Sequence, residues 1–316
     1  MTNVLRPTSK VFLDTIPFLH DGRVAALGYF DGVHIGHQEI IKKVVKSAKL
    51  EGITSTLQTF IGFGKGEGRC LTTLEEKLDI LTELGVDEML VIDFSDKFKS
   101  QSPEQFWDSV IKGAVNAKGV FVGDDYTFGK MAAGNVDTLK QLGREQGIAV
   151  KVVPEKILEG YDRRVSSSWM REVLTEGDVG MYMKLTGGRP FEYRGRVMQG
   201  KQLGRQLGFP TANIQIAEDK FIVRRGVYVS KVMIGNKVYG GVTNVGLRPT
   251  VEDAVVDMVE TYIFDFDEDI YGASIKVQLL DFLRPESRFN GKDELIAAVE
   301  ANKIQAKTYL AGSGII

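Results

Sequence analysis

Around Leu185 to Pro190 the hydropathy pattern of this 316-residue chain changes character. Before that point, short apolar runs alternate with stretches of helical period. Val24–Phe30 is followed by an amphipathic run from Gln38 to Leu50, then by the β-branched run Ile53–Phe60. Thr73 to Leu84 reads as a helix with Thr72 or Thr73 as N-cap and Gly85 as its stop. Ser102-Pro103-Glu104 opens another, with proline in the first turn. Glu88–Phe94, Gly119–Val122 and Ile148–Val153 read as strands and Val136–Arg144 as a helix. Such alternation builds a parallel sheet covered on both faces. After Pro190, strand-like segments follow one another near 191–199, 210–216, 226–234, 237–243, 258–266 and 274–282. Gly235-Asn236 supplies a hairpin turn between two of them. Helical period returns only from Lys292 to Leu310, the pattern of a β-barrel or sandwich with one terminal helix. The length is about twice that of a typical domain. Two domains are expected, residues 1–185 and 186–316, with no Pro/Ser-rich linker between them.

Charge and cysteine content remove several function classes. Forty basic side chains against forty-two acidic ones give a net charge of -2, so no electrostatic footprint for nucleic acid is expected. No apolar run reaches the length of a membrane span, and the first twenty residues lack the pattern of a secretory signal. Cys70 is the one cysteine, which excludes an internal disulfide and offers no zinc cluster. The cytoplasm is the expected compartment. The sequence leaves the oligomeric state open.

Two of the three histidines fall in Gly28-Tyr29-Phe30-Asp31-Gly32-Val33-His34-Ile35-Gly36-His37. The segment links the first strand to the first helix. A helix start offers free N–H groups and the positive end of the dipole, so it favours phosphate. His34 and His37, three apart, project from neighbouring points of one turn. Both can donate to one phosphate as charge builds on its oxygens. A zinc pair or two surface histidines are the competing readings, and the metal reading lacks a third ligand nearby and a Glu at metalloprotease spacing.

A second candidate phosphate site is Ser166-Ser167-Ser168, hydroxyl donors just before an apparent helix from Met170 to Leu174, with Arg171 in its first turn. Plain N-capping is the alternative for the serines. Asp125 ends a strand, where ligands collect in open α/β sheets, although a turn aspartate also fits. In the second half, Gly200, Gly204 and Gly208 recur every fourth residue ahead of Pro210-Thr211-Ala212-Asn213. This is not a Walker loop, but a glycine-rich turn can wrap phosphates with backbone donors. Thr211 and Asn213 alternate onto one face of a strand, and their oxygens suit a hydrated Mg²⁺. A tight turn into an edge strand is the bland alternative. Glu260 sits on an apolar strand, where an acid is costly unless used or paired, although a solvent-facing Glu on an alternating strand also fits.

Gly-x-Phe-Asp-Gly-x-His-x-Gly-His resembles the signature of the nucleotidyltransferase module of bacterial bifunctional riboflavin kinase/FAD synthetases. Gly123-Asp124-Asp125-Tyr126-Thr127-Phe128-Gly129 resembles that family's Gly-x-Asp-Phe-x-Phe-Gly segment. Val165 to Arg171 resembles its Ile-Ser-Ser-Thr-x-Ile-Arg motif, and Pro210-Thr211-Ala212-Asn213 is similar to the hallmark of its kinase module. Gly241 to Thr250, Val259 to Gly272 and Arg284-Pro285-Glu286 match further blocks. The resemblance implies a Rossmann-like adenylyltransferase domain followed by a riboflavin kinase-like barrel. ATP, riboflavin, FMN and FAD would be the substrates and products. Glu260 would be the base that deprotonates the ribityl hydroxyl, with Thr211 and Asn213 holding Mg²⁺ and ATP. His34, His37 and Arg171 would stabilise adenylyl transfer. Gly28, Phe30, Gly36, Ser166, Ser167, Ser168, Gly200, Gly204 and Gly208 would form the ATP and phosphate sites. Asp125 and Arg284 would contact flavin.

The chain departs from the family after the second strand. Phe-Asp-x-His-Pro is replaced by Phe60-Ile61-Gly62-Phe63-Gly64-Lys65-Gly66-Glu67-Gly68, an expected mobile loop. This departure leaves two alternatives open on sequence alone. One is a riboflavin kinase with an impaired N-terminal half; the other is a non-catalytic regulator that binds flavin or nucleotide.

Overall fold

A computed structural model describes residues 8–12, 22–62, 68–200, 204, 207–249 and 255–314. The chain separates into two compact units, Met1–Ser167 and Ser168–Ile316. Each is described by itself.

The first unit holds a six-stranded sheet in the order β1-β4-β3-β2-β5-β6. Its strands are β1 (Ser9–Phe12), β2 (Arg23–Leu27), β3 (Thr54–Ile61), β4 (Glu88–Asp93), β5 (Ala117–Gly123) and β6 (Ala149–Val153). Every pairing is parallel. Helix α1 (Ile35–Glu51) buries Ile40, Ile41, Val44, Val45 and Ala48 on one face. These join Val24, Ala26 and Leu57 of the sheet in one core layer. Helix α2 (Leu74–Leu84) starts at a capping box, with Thr73 and Glu76 satisfying each other's backbone N–H, and stops at left-handed Gly85. On the other face Trp107, Val110 and Ile111 pack on Ala25, Leu27 and Leu90. They lie on a segment that leaves α3 (Asp96–Lys99) and the short α4 (Pro103–Phe106) and continues as π-helix over Trp107–Ala114. Helix α5 (Val136–Gln146) completes this layer through Leu139.

β1 and helix α6 differ from the sequence expectation. The four residues of β1, at a sheet edge, carry too little periodicity to register. A small hairpin, β7 (Ile157–Leu158) with β8 (Arg163–Arg164), precedes helix α6. That helix runs Ser167–Glu176, not Met170–Leu174. Ser167 and Ser168 are therefore inside its first turn and Arg171 is in its second. First-turn N–H groups have no intrahelical partners, so serines are tolerated there.

The second unit adds α7 (Val179–Thr186) and a six-stranded antiparallel sheet in the order β10-β13-β12-β11-β14-β9. Its strands are β9 (Phe191–Arg196), β10 (Thr211–Gln215), β11 (Gly226–Ile234), β12 (Lys237–Pro249), β13 (Val255–Ile263) and β14 (Ser274–Pro285). The Gly235-Asn236 turn is the two-residue hairpin between β11 and β12, with Ile234 paired to Lys237 and Gly235 at φ 57°. The sheet curls until its edges meet. Met198 N–H, just past β9, donates to the Asn213 carbonyl of β10 at 2.8 Å. Gly195 eases this closure, because a Cβ there would stand 3.0 Å from the Ile214 Cβ and that side chain would have to shift. Helix α8 (Lys292–Gly312) seats Ala306 and Leu310 on Val227, Val229, Val242 and Leu280.

Candidate active sites

In the first unit the strand order reverses at β2. From there the chain builds outward through β3 and β4, then returns to lay β5 on the other side of β2. The loops leaving β2 and β5 flank a topological switch point, where open α/β sheets bind ligands. The Gly28–His37 segment leaves β2, and Gly123-Asp124-Asp125 leaves β5.

The segment after β2 is held in an unusual backbone. Phe30 and Val33 both take positive φ, 52° and 43°. For a bulky or β-branched residue this costs about 1–3 kcal/mol and persists only where the surroundings enforce it. Both side chains are buried. Asp31, also buried, accepts from the N–H groups of Leu71 and Thr72 at 2.8 and 3.2 Å. Gly32 N–H donates to Thr72 Oγ1 at 3.1 Å. Ser167 Oγ donates to the Asp31 carbonyl at 2.8 Å, which ties the serine motif to this turn.

The two histidines come together. His34 is the N-cap of α1, and its Nδ1 accepts from the His37 N–H at 3.2 Å. That bond puts the His34 proton on Nε2, as a donor away from the helix. The two rings stack with centroids 3.6 Å apart, and Phe30 meets His37 edge-on at 5.0 Å. Burial, then the charges of His34, Lys77 and Arg164, hold His37 well below the ordinary imidazole pKa, so it is neutral at pH 7. Its buried Nδ1 has no hydrogen-bond partner among the described residues. Gly36 lies against this pair, with the space a Cβ would take only 3.2 Å from the His34 ring. Gly28 similarly abuts the Phe30 ring.

Asp125 is committed to Arg164, at 2.5 Å, and the same guanidinium reaches Glu155 at 3.2 Å and Asp124 at 3.9 Å. Arg164 was not singled out in the sequence, although it precedes the serine motif by two residues. Ser168 and Arg171 belong to the second unit, where the Arg171 guanidinium lies 5.3 Å from the Phe221 ring centre. Lys77 also escaped the sequence reading. It lies three and four residues before Ile80 and Leu81 on the inward face of α2, and that periodicity was the available signal.

In the second unit, one cavity of about 480 Å³ is lined by Gly200, Gly204, Thr211, Asn213, Glu260 and Arg284, among others. The volume is that of a small-molecule site. Pairing register explains the convergence. Asn213 of β10 faces Glu260 of β13, and Glu260 faces Asn244 of β12. Three polar side chains thus form a row across adjacent strands. Asn213 is buried and turns its Nδ2 to the Thr211 carbonyl at 3.0 Å. Asn244 Nδ2 donates to Glu286 Oε1 at 3.3 Å. Arg284 Nε donates to Oδ1 of Asn302, a buried residue of α8, at 3.3 Å. Asn244, Glu286 and Asn302 line the cavity but were not individually marked by the sequence. Their placement depends on strand register and helix docking. Gly208 takes φ 86° ahead of β10. Most of the Gly200–Gly208 turn, and residues 63–67 of the glycine loop, lie outside the described residues.

Comparison with known proteins now decides the family. A FAD synthetase family model matches residues 17–169, and a riboflavin kinase model matches residues 187–310. The bifunctional riboflavin kinase/FMN adenylyltransferase of Bacillus subtilis (strain 168) is 36% identical, over 91% of this chain and 92% of the relative. This chain belongs to the bifunctional riboflavin kinase/FMN adenylyltransferase family. The family protein of Escherichia coli (strain K12) is 32% identical, over 92% of this chain and 93% of its own. Among solved structures, the macrolide-efflux protein from Streptococcus pneumoniae is 30% identical with a TM-score of 0.82. The match covers 94% of this chain and 98% of that one. Among the described residues of this family member, no helix is long and apolar enough to cross a membrane.

Proposed function

We propose that this chain phosphorylates riboflavin to FMN and adenylylates FMN to FAD, with one ATP used in each step. The supporting observation is that each half carries its own motif set: the histidine turn leaves β2 at the switch point of the parallel sheet, and the Thr211, Asn213 and Glu260 row lines the cavity of the antiparallel one. The functional division runs 1–185 for a Rossmann-like adenylyltransferase and 186–316 for a riboflavin kinase-like barrel.

In the kinase step Glu260 takes the proton of the ribityl 5′-hydroxyl. The freed oxygen attacks the γ-phosphorus of ATP, and ADP leaves. Thr211 and Asn213 fit a Mg²⁺ ion. Asn213 Nδ2 donates to the Thr211 carbonyl at 3.0 Å, which holds the amide beside the Thr211 side chain. Two neutral oxygens suit an ion that keeps waters and phosphate oxygens as its other ligands. Bound there, the ion would neutralise charge on the ATP phosphates. Gly200, Gly204 and Gly208 give the phosphates a backbone cradle, and Arg284, fixed by Asn302, contacts the flavin.

In the adenylyl step an FMN phosphate oxygen attacks the α-phosphorus of a second ATP, and pyrophosphate leaves. No protein nucleophile is required, because the FMN phosphate is already ionised. Gly28, Phe30 and Gly36 shape the turn. His34 donates from Nε2, neutral His37 hydrogen-bonds beside it, and Ser166 and Ser167 hold phosphate oxygens. Asp125 contacts the flavin.

Chromatography of flavin products tests this reading. Purified protein with Mg²⁺ and excess ATP should form FAD from riboflavin and, in a parallel reaction, from FMN. FMN alone in the first reaction with no conversion in the second would refute the adenylyl assignment and leave a riboflavin kinase.

A further inference from the structure

Lys77 is almost fully buried, at 2% exposure, on the inward face of α2. Its ammonium makes two hydrogen bonds, both 2.8 Å and both to neutral oxygens: the Tyr29 carbonyl and Thr59 Oγ1. Thr59 Oγ1 itself donates to the same Tyr29 carbonyl at 2.7 Å. The Tyr29 ring lies beside the ammonium, 4.8 Å from Nζ to its centre. Tyr29 is the residue immediately before Phe30, the first of the two side-chain-bearing residues forced to positive φ in the histidine turn.

A lysine in this position is a poor way to fill space. Burying an ammonium costs several kcal/mol unless it is well compensated. A methionine of similar length would pack there without that penalty. The titratable groups that face Lys77 are the Asp31 carboxylate and the Cys70 thiol, and His37 lies within reach of its field. His37 in turn faces His34 and Arg164. The nearest motif to this cation is therefore the one that must receive phosphates, and low dielectric strengthens its field there.

We propose that Lys77 is a positioning residue of the adenylyl-transfer site: its ammonium ties down the Tyr29 carbonyl at the entry to the strained turn and holds a fixed positive charge near the histidine pair. The proposal rests on the adenylyl-transfer reading of that pair. The Tyr29 tie keeps His34 and His37 in register with the end of β2. The charge favours the neutral form of His37, which keeps one nitrogen able to accept, and adds attraction for the triphosphate. Burial lowers the Lys77 pKa to about 8, with Asp31 and Cys70 opposing the shift. The ammonium is thus mostly charged at pH 7 and discharges as pH rises through about 8.

The test compares full-length wild type with Lys77→Gln, Lys77→Arg and Lys77→Met. Glutamine keeps two N–H donors for the two acceptors but carries no charge, and arginine keeps the charge through the whole pH range. FMN-to-FAD rates are measured from pH 6 to 9.5, with riboflavin-to-FMN rates of the same preparations as the folding control. Wild-type kcat for FAD formation should fall as pH rises through about 8. Lys77→Gln should lower it roughly 10- to 100-fold at pH 7 and abolish that fall, a range set by a single oriented charge in a dry site. Lys77→Arg should retain most activity with no fall near pH 8. NMR titration of the His37 ring should show its midpoint rising in Lys77→Gln. Lys77→Gln and Lys77→Met at the wild-type rate, or an unchanged His37 titration, would overturn the proposal. Inactive wild type would refute adenylyl transfer instead, and the His37 titration would then judge Lys77 alone.

Discussion

The two halves of this molecule solve phosphate chemistry in opposite ways. In the first unit the candidate site is made by topology: the strand order reverses at β2, and the loops leaving β2 and β5 flank that switch point. It brings together two stacked imidazoles and a buried ammonium that holds the Tyr29 carbonyl, and it stores strain at Phe30 and Val33. In the second unit the site is made by register. Asn213, Glu260 and Asn244 are brought into line by strand pairing alone, on regular strand backbone. Parallel sheets expose ligand sites at strand ends, whereas a curled antiparallel sheet can use the middle of its strands. The first design suits a reaction whose nucleophile is already ionised. The second places the Glu260 carboxylate in its polar row, as the proposed deprotonation of an alcohol requires.

The largest expected effect separates the two reactions. Glu260→Gln should lower riboflavin phosphorylation about 10²- to 10⁴-fold and leave FMN-to-FAD conversion near the wild-type rate. A kinase rate within a few-fold of wild type would remove Glu260 as the base. The mirror image is His34→Ala, which should cut FAD formation about 10²- to 10³-fold and spare the kinase. Equal loss of both activities would mean that the two sites are not independent.

A smaller effect tests the claim that register builds the second site. Gly195→Ala forces a Cβ against Ile214 where β9 meets β10, at a cost of about 1–3 kcal/mol. Calorimetry should show a lower Tm, and the kinase KM for ATP should rise more than the adenylyl KM. If both constants stay put, closure of the sheet is not what shapes the cavity.

The smallest effect concerns pH. Burial and neighbouring cations keep His37 below its unfolded value near 6.5. Below that value the unfolded chain takes up a proton that the folded one refuses. His37 should therefore reduce stability as pH falls from 7 through 6.5 toward its folded pKa. The wild-type Tm should drop more between pH 7 and 5 than that of His37→Gln. Parallel curves would show that the imidazole is not dehydrated.

Much of this was readable from short stretches of chain. The capping box at Thr73, the stop at Gly85 and the Gly235-Asn236 hairpin are decided by residues within a turn of each other. The histidine segment, the serine cluster and Pro210-Thr211-Ala212-Asn213 are likewise local, so their elements were found with their motifs. Where local signals were weak, the sequence reading failed. β1 is a four-residue edge strand, and α6 begins three residues before its apolar period starts.

Short stretches of chain supply the chemical parts and the two kinds of sheet that carry them. Which parts meet depends on long-range packing. That Glu260 lies between Asn213 and Asn244 follows from strand pairings between residues far apart in the chain. That Lys77 of α2 reaches the Tyr29 carbonyl of the β2 turn follows from docking that helix on the sheet, across 48 residues of chain. Strand order, register and helix docking are set by burial summed over the whole core. No window of sequence contains that sum.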